Sequence, residues 1–176
     1  MTLERERWQE NCPASPLKEW DRMLRIFTRE FKQGDERRFD LADVVSSLHL
    51  PQLSWTAEDI FVNVSKDPGL NVAELEQVSS APDSPNPVLE DADFIRLVGA
   101  TQQFIDGEFV GYDQSNVGDI DKAVIRLDMS DGSYWTIILD VDRVKIQDEF
   151  LQEFGPGEPI SAMTTRAAGP QSERLL

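Results

Sequence analysis

Between residues 79 and 91 the chain reads Ser-Ser-Ala-Pro-Asp-Ser-Pro-Asn-Pro-Val-Leu-Glu-Asp, with three prolines and three serines in thirteen positions. Proline lacks the backbone donor that a helix interior or a central strand needs, so this segment resists regular structure. The hydrophobic period changes across it. That break predicts a helical stretch over 1–78, a linker at 79–91, a β stretch over 92–154 and a loosely ordered tail over 155–176.

Upstream of the linker the pattern is helical. Leu17, Trp20, Leu24, Phe27 and Phe31 follow i, i+3, i+7, i+10 and i+14, which predicts an amphipathic helix over 16–33. Ser15 suits its N-cap, Pro16 its first turn and Gly34 its stop. Leu3 and Trp8 predict a shorter helix over 2–10, and Leu41, Val44, Val45 and Leu48 share a helical face that Pro51 ends. Thr56-Ala57-Glu58-Asp59 resembles a capping box, so residues 57–66 are read as helix, although Ile60, Val62 and Val64 also alternate as a strand would. Asn71 to Val78 reads as another short helix.

Downstream, short runs rich in β-branched and aromatic residues predict strands at Phe94–Val98, Gln102–Ile105, Phe109–Tyr112, Ala123–Met129, Tyr134–Leu139 and Val144–Ile146. Asp106-Gly107 and Asp131-Gly132 fall where tight hairpins would join them. Asp148 to Phe154 reads as a closing helix. The expected fold class is α+β, with a helical N-terminal half packed on an antiparallel sheet of about five or six strands.

Counts of the reactive residues narrow the chemistry. Cys12 and His49 are the sole cysteine and histidine, so a triad would have to use His49 and a Cys–His dyad would have to be that pair. Asp113-Gln-Ser115-Asn-Val-Gly118-Asp119-Ile120-Asp121 has part of a calcium-loop pattern, but Val124 occupies the position where a bidentate Glu is required. An Asp/Gly-rich connecting loop is the simpler reading. There is no phosphate-binding glycine loop, nucleophile elbow or zinc-protease motif. The chain is therefore expected to be no enzyme and to need neither metal nor cofactor.

Charge sets the class of partner. The sequence carries 17 basic and 33 acidic residues, a formal net charge of -16, and residues 39–121 hold only Lys66 and Arg96 as bases. Such a field repels nucleic acid and anionic membrane and attracts basic surfaces. Lys18, Arg22, Arg25, Arg29 and Lys32 each follow an apolar position of the 16–33 helix, and are read as a solvated flank or one paired with the acidic half. No apolar run approaches the roughly 18 residues of a membrane span, and the N-terminus lacks the apolar stretch of a signal peptide, which predicts a cytoplasmic chain.

The function expected from these features is non-catalytic binding. The chain reads as a small acidic inhibitor, an immunity protein or a polyanion mimic that docks on a basic protein partner. The expected contact residues are Asp91, Asp93, Asp106, Glu108, Asp113, Asp119 and Asp121, which flank the linker and the predicted strand ends. An acidic secretion or assembly chaperone is the alternative: a homodimer, with the apolar face of residues 17–31 at its seam, binding an extended client segment.

Overall fold

Burial alternates residue by residue along Ile125–Ser130 and from Tyr134 to Leu139, which gives each of these strands one buried and one more open side, and the rest of the sheet is built around that pair. A computed structural model describes residues 22–28, 39–130, 132 and 134–160. Its strands are β1 (Met23–Phe27), β2 (Leu48–His49), β3 (Ser54–Val64), β4 (Val88–Leu89), β5 (Thr101–Tyr112), β6 (Ile125–Ser130), β7 (Tyr134–Asp140), β8 (Lys145–Ile146) and β9 (Glu158–Pro159). The helices are α1 (Leu41–Ser46), α2 (Val72–Ser79), α3 (Asp91–Ala100) and α4 (Asp148–Phe154). Seven strands form one sheet in the order β4-β3-β5-β6-β7-β1-β9, and β2 with β8 forms a separate short ladder. Every pairing is antiparallel.

One face of the large sheet is dry. Leu127, Ile137 and Ile26 lie on one cross-strand row, Ile125 and Leu139 on the next, and all are buried. Helices α1, α3 and α4 contribute Leu41, Val44, Phe94, Leu97 and Phe150 to the same cluster, which joins buried residues from both sides of the 79–91 segment. Aromatic rings form its spine. Trp55 stacks on Phe94 with centroids 3.8 Å apart, Phe94 meets Phe109 edge-on at 5.2 Å, and Phe104 lies 5.3 Å from both Phe109 and Trp135. Both indoles are buried with their donors satisfied: Trp55 Nε1 donates to Asp91 at 3.3 Å and Trp135 Nε1 to the carbonyl of Phe39 at 2.9 Å.

A bulge bends the middle of the sheet. Glu58 pairs with Glu108 and Phe61 with Asp106, so Asp59 and Ile60 together oppose the single residue Gly107. Asp59 takes a left-handed φ of 49°, and Gly107 a φ of 113°. A Cβ at Gly107 would sit 2.6 Å from the Ile60 Cα and 2.7 Å from the Asp59 carbonyl oxygen, so only glycine fits. Past the bulge, helix α2 covers the edge of β3, where the Ile60 amide donates to the Ser79 hydroxyl and the Val62 amide to Glu76.

The structure corrects the expected fold class. The molecule is dominated by the seven-stranded antiparallel sheet, and its helices are short and do not make a helical N-terminal half. Within the expected 16–33 helix, Met23–Phe27 is strand β1, held between β7 and β9, with Leu24 and Ile26 facing the core. Pairing on both edges overrides a local helical period. The rest of that segment, and the expected 2–10 helix, lie outside the described residues. The apolar helical face that the chaperone reading relied on is therefore replaced, at Met23–Phe27, by an inner strand.

Within 57–66, residues 57–64 are also strand, not helix, and β3 ends at Val64. The bulge turns both Ala57 and Ile60 inward, and that three-residue step imitates a helix. Phe94–Val98 errs the other way: it lies in α3, where Phe94, Leu97 and Val98 bury one face. Gln102–Ile105 and Phe109–Tyr112 are one strand, because Gly107 is a bulge partner and not a hairpin tip. Of the 155–176 tail, residues 161–176 lie outside the described residues, while Glu158–Pro159 adds β9 to the sheet. Among the described residues no helix is long and apolar enough to cross a membrane.

Two substitutions test this architecture. Phe104→Ala removes the ring that links Phe109 to Trp135 and should lower the unfolding free energy by about 3–5 kcal/mol in urea titration. A loss below about 1 kcal/mol would show that the aromatic spine is not the packing centre. Gly107→Ala should also destabilise, by more than the roughly 1 kcal/mol typical of an interior Gly/Ala exchange, because its Cβ would strike the β3 backbone.

Candidate functional site

The wet face of the sheet is where chemistry-bearing side chains collect. On β3, β5 and β6 the positions opposite one another alternate between the two faces, and one outward row consists of Glu58, Glu108 and Asp128. Glu58 is directly across from Glu108, and Glu108 directly across from Asp128. Adjacent strands are about 4.8 Å apart, so three carboxylates stand in line at that interval. Asp106, one bulge step along β5, and Asp59, the left-handed residue of β3, line the same shallow depression of about 270 Å³. Like charges set directly opposite on neighbouring strands oppose folding.

Burial is the first cause of the shifted titration along the row, and neighbouring carboxylates add to it. Glu108 has its pKa raised, first by burial and then by Asp128 and Glu58, against the lowering effect of Arg126. Asp128 is raised as well, by burial first and by Asp106, again opposed by Arg126. Arg126, the next outward residue of β6, donates from Nε and Nη2 to the same Glu108 oxygen, each at 2.6 Å. One guanidinium therefore answers a row of three carboxylates.

Beyond the row lies a larger depression of about 510 Å³ between the 85–88 segment and the loop after β5, with Thr56, Val88, Val110 and Tyr112 on its walls and Glu58, Glu108 and Arg126 at its margin. The loop itself, residues 113–123, contains two single 3-10 turns and folds back over the sheet, where Val117 and Ala123 pack on Val110 and Tyr112.

The seven acidic residues from which the contact was expected to draw a subset lie in three places. Asp106 and Glu108 come together in the row. Asp113 and Asp119 sit on the 113–123 loop in ion pairs, Asp113 with both terminal nitrogens of Arg143 at 3.0 and 2.7 Å and Asp119 with Lys122 at 2.9 Å. Their partners lower both pKa values, and Asp121 is exposed on the same loop. Asp93 pairs with Arg96 one turn along α3. Asp91 is engaged by the core, since one of its oxygens accepts from the Leu53 amide and from the Trp55 indole, both at 3.3 Å.

Glu58, Asp59 and Asp128 complete the row and were not among the expected residues. Asp128 alternates with Leu127 and Met129, so its outward direction is readable from the β6 period. Glu58 was hidden by the helical reading of 57–66. Among the described residues no group of three or more His, Cys, Asp or Glu side chains is placed to hold a metal ion. His49 lies in β2 opposite Lys145, on the separate ladder. No family model matches the chain, and neither does any curated protein or solved structure.

The row makes a pH prediction with a definite sign. A carboxyl whose folded pKa is raised binds its proton more tightly in the folded state, so stability should rise as pH falls from neutral towards 4.5, the ordinary value for Glu108. Asp113, lowered from 3.8, works the other way only below that value. Asp128→Asn, which removes one of the facing charges, should stabilise the protein at neutral pH by about 0.2–1 kcal/mol and flatten the rise. Thermal melts across that interval would read both, and a variant with an unchanged slope would remove the row as the source.

Proposed function

We propose that this chain is a non-catalytic binding protein of the inhibitor type, which docks the Glu58–Glu108–Asp128 row, with Asp59 and Asp106 beside it, onto a basic surface of another protein. The observation that carries the reading is the direct cross-strand opposition of three carboxylates, two of them with raised pKa values. The isolated fold is less stable for holding them ionised side by side. Lysine or arginine side chains from a partner would relieve that repulsion at the moment of docking, so the strain becomes binding free energy. The surrounding charge supports the same reading, since residues 39–121 hold two bases against an acidic majority and steer a cationic partner towards this half. Glu58, Asp59 and Asp106 are exposed, and so are within reach of a protein surface.

The test uses a partner purified from the native host by affinity to the full chain. Its association rate should fall at least about tenfold as ionic strength rises from roughly 0.01 to 1 M, where the screening length shrinks from about 30 to 3 Å. Glu58→Lys with Asp106→Lys should weaken the complex by a few kcal/mol. Asp83→Lys with Glu153→Lys, which reverses two exposed charges off the row, should change it little. Binding indifferent to salt, or equal losses from the two double variants, would refute docking through the row.

A further inference from the structure

Arg126 lines two depressions of the wet face. The one towards β1, of about 380 Å³, gathers Arg22, Arg25, Lys122, Arg126 and Arg143. Four of these are answered by acids: Arg22 by Asp140, Lys122 by Asp119, Arg126 by Glu108 and Arg143 by Asp113. The one towards β4, of about 510 Å³, has a different balance. Its charged side chains are Glu58, Glu108 and Arg126. Arg126 gives both Nε and Nη2 to Glu108, which cancels that pair. Glu58 meets only the neutral amide of Asn86, whose Nδ2 donates to its Oε2 at 3.2 Å, so one negative charge is left over.

Register sets that charge at one end of the depression. Glu58 on β3 faces Glu108 on β5, while Arg126 on β6 faces Val110, so the two stand on either side of β5 and one outward row apart. Two strand spacings, about 10 Å at the backbone, separate them across the sheet. Between them lie buried Val110 and Tyr112, with Thr56 alongside. Pro85 and Val88 line one rim, and Val117 and Ile120 the other. Val88 is 58% exposed and Ile120 46%, apolar surface that the fold itself leaves uncovered. Both rims are held in place. Val88 pairs with Thr56, the Ala57 amide donates to the Pro87 carbonyl at 3.2 Å, and Val117 packs on Val110 and Tyr112.

We infer that this depression seats one lysine side chain of the basic partner, its alkyl stem on Val88, Val110 and Ile120 and its ammonium on Glu58. The occupant rests on the docking reading, because Glu58 is also an end of the carboxylate row. Lysine lays a long apolar stem along a surface while its head stays in water, and this depression offers apolar walls ending at an exposed carboxylate. Ammonium is a compact charge that a single oxygen can meet, whereas a guanidinium fork takes both oxygens of a carboxylate. Asn86 already engages Oε2 of Glu58, which favours the ammonium.

NMR titration of the full chain with N-acetyl-lysine N-methylamide tests the seat. The norleucine analogue supplies the stem without the charge, methylammonium the charge without the stem, and the arginine analogue the fork. The lysine analogue should shift the amide signals of Thr56, Val88, Val110 and Val117 and saturate at one molecule per chain. Norleucine analogue and methylammonium should each bind at least about threefold more weakly, and the arginine analogue no more tightly. Glu58→Gln should weaken the lysine analogue about threefold and leave the norleucine analogue unchanged. Ile120→Ser should weaken both about twofold, and Glu153→Gln, exposed on α4, neither. Thermal melts show whether each variant is folded. No saturable shift, a norleucine or arginine analogue bound more tightly than the lysine one, or unchanged lysine binding in a folded Glu58→Gln would each overturn the inference. A partner sensitive to the row, with no analogue bound, would remove the lysine seat and leave docking through the row standing. A seated analogue, with a partner indifferent to Glu58→Lys and Asp106→Lys, would instead refute the docking reading and with it the partner as the source of the lysine.

Discussion

The contact on which the rest of this molecule depends is the run of rings from Trp55 through Phe94, Phe109 and Phe104 to Trp135. These five side chains come from β3, α3, β5 and β7, so one packed column ties four elements spread from Ser54 to Asp140. Large aromatics bury the most apolar area per residue and add a geometric preference of their own. Each tryptophan also anchors a segment outside the sheet, Trp55 through Asp91 at the start of α3 and Trp135 through the Phe39 carbonyl. With that face committed to the core, the period of two turns the intervening side chains to the opposite face, where the 113–123 loop covers Val110 and Tyr112 and the acidic row stays open. The carboxylate row and the basic cavity are both consequences of that division.

The bulge at Asp59, Ile60 and Gly107 then decides where on the wet face the acids gather. An unbroken ladder would carry β3 and β5 forward in simple register. The extra residue shifts the pairing, so Phe61 and not Ile60 faces Asp106. Asp59 is pushed into the left-handed region beside the depression it lines with Asp106 and Asp128. The backbone irregularity thus adds Asp59 beside the row, while Asp106 stands there by the ordinary alternation of β5.

Much of the sheet was legible in the sequence, and the failures have identifiable causes. The pairing of β6 with β7, the alternating burial along both strands and the closing helix α4 are where local pattern and tertiary structure agree. Met23–Phe27 misled because Leu24 and Phe27 fit a helical stripe, although in the sheet Leu24 and Ile26 turn to the core and Phe27 to the wet face. The local pattern holds no record of the β7 and β9 edges that claim this segment. Phe94–Val98 misled because its apolar residues fit a short buried strand as well as the face of a helix. The site suffered from the same ambiguity. Asp106 and Glu108 were readable as acidic residues on a sheet, but Glu58 could not join them while 57–66 was read as helix.

Arg126 is the hinge of the electrostatic pattern. It faces outward on β6 between Asp128 along its own strand and Glu108 on β5, and it also lines the cavity that holds Arg22 and Arg25. Its bond to Glu108 neutralises the centre of the row from one side, while the unlike charges of the cavity begin on the other. Placing the two regions on one rigid sheet keeps them from collapsing onto each other, since strand spacing and not side-chain attraction sets the distance between them. Within a chain of net charge -16, four of the basic side chains gathered there are held by acids: Arg22 by Asp140, Lys122 by Asp119, Arg126 by Glu108 and Arg143 by Asp113. The seven scattered carboxylates divide accordingly: Asp106 and Glu108 are crowded on the row, Asp93, Asp113 and Asp119 hold arginine or lysine in place, Asp91 accepts from the core, and Asp121 is exposed.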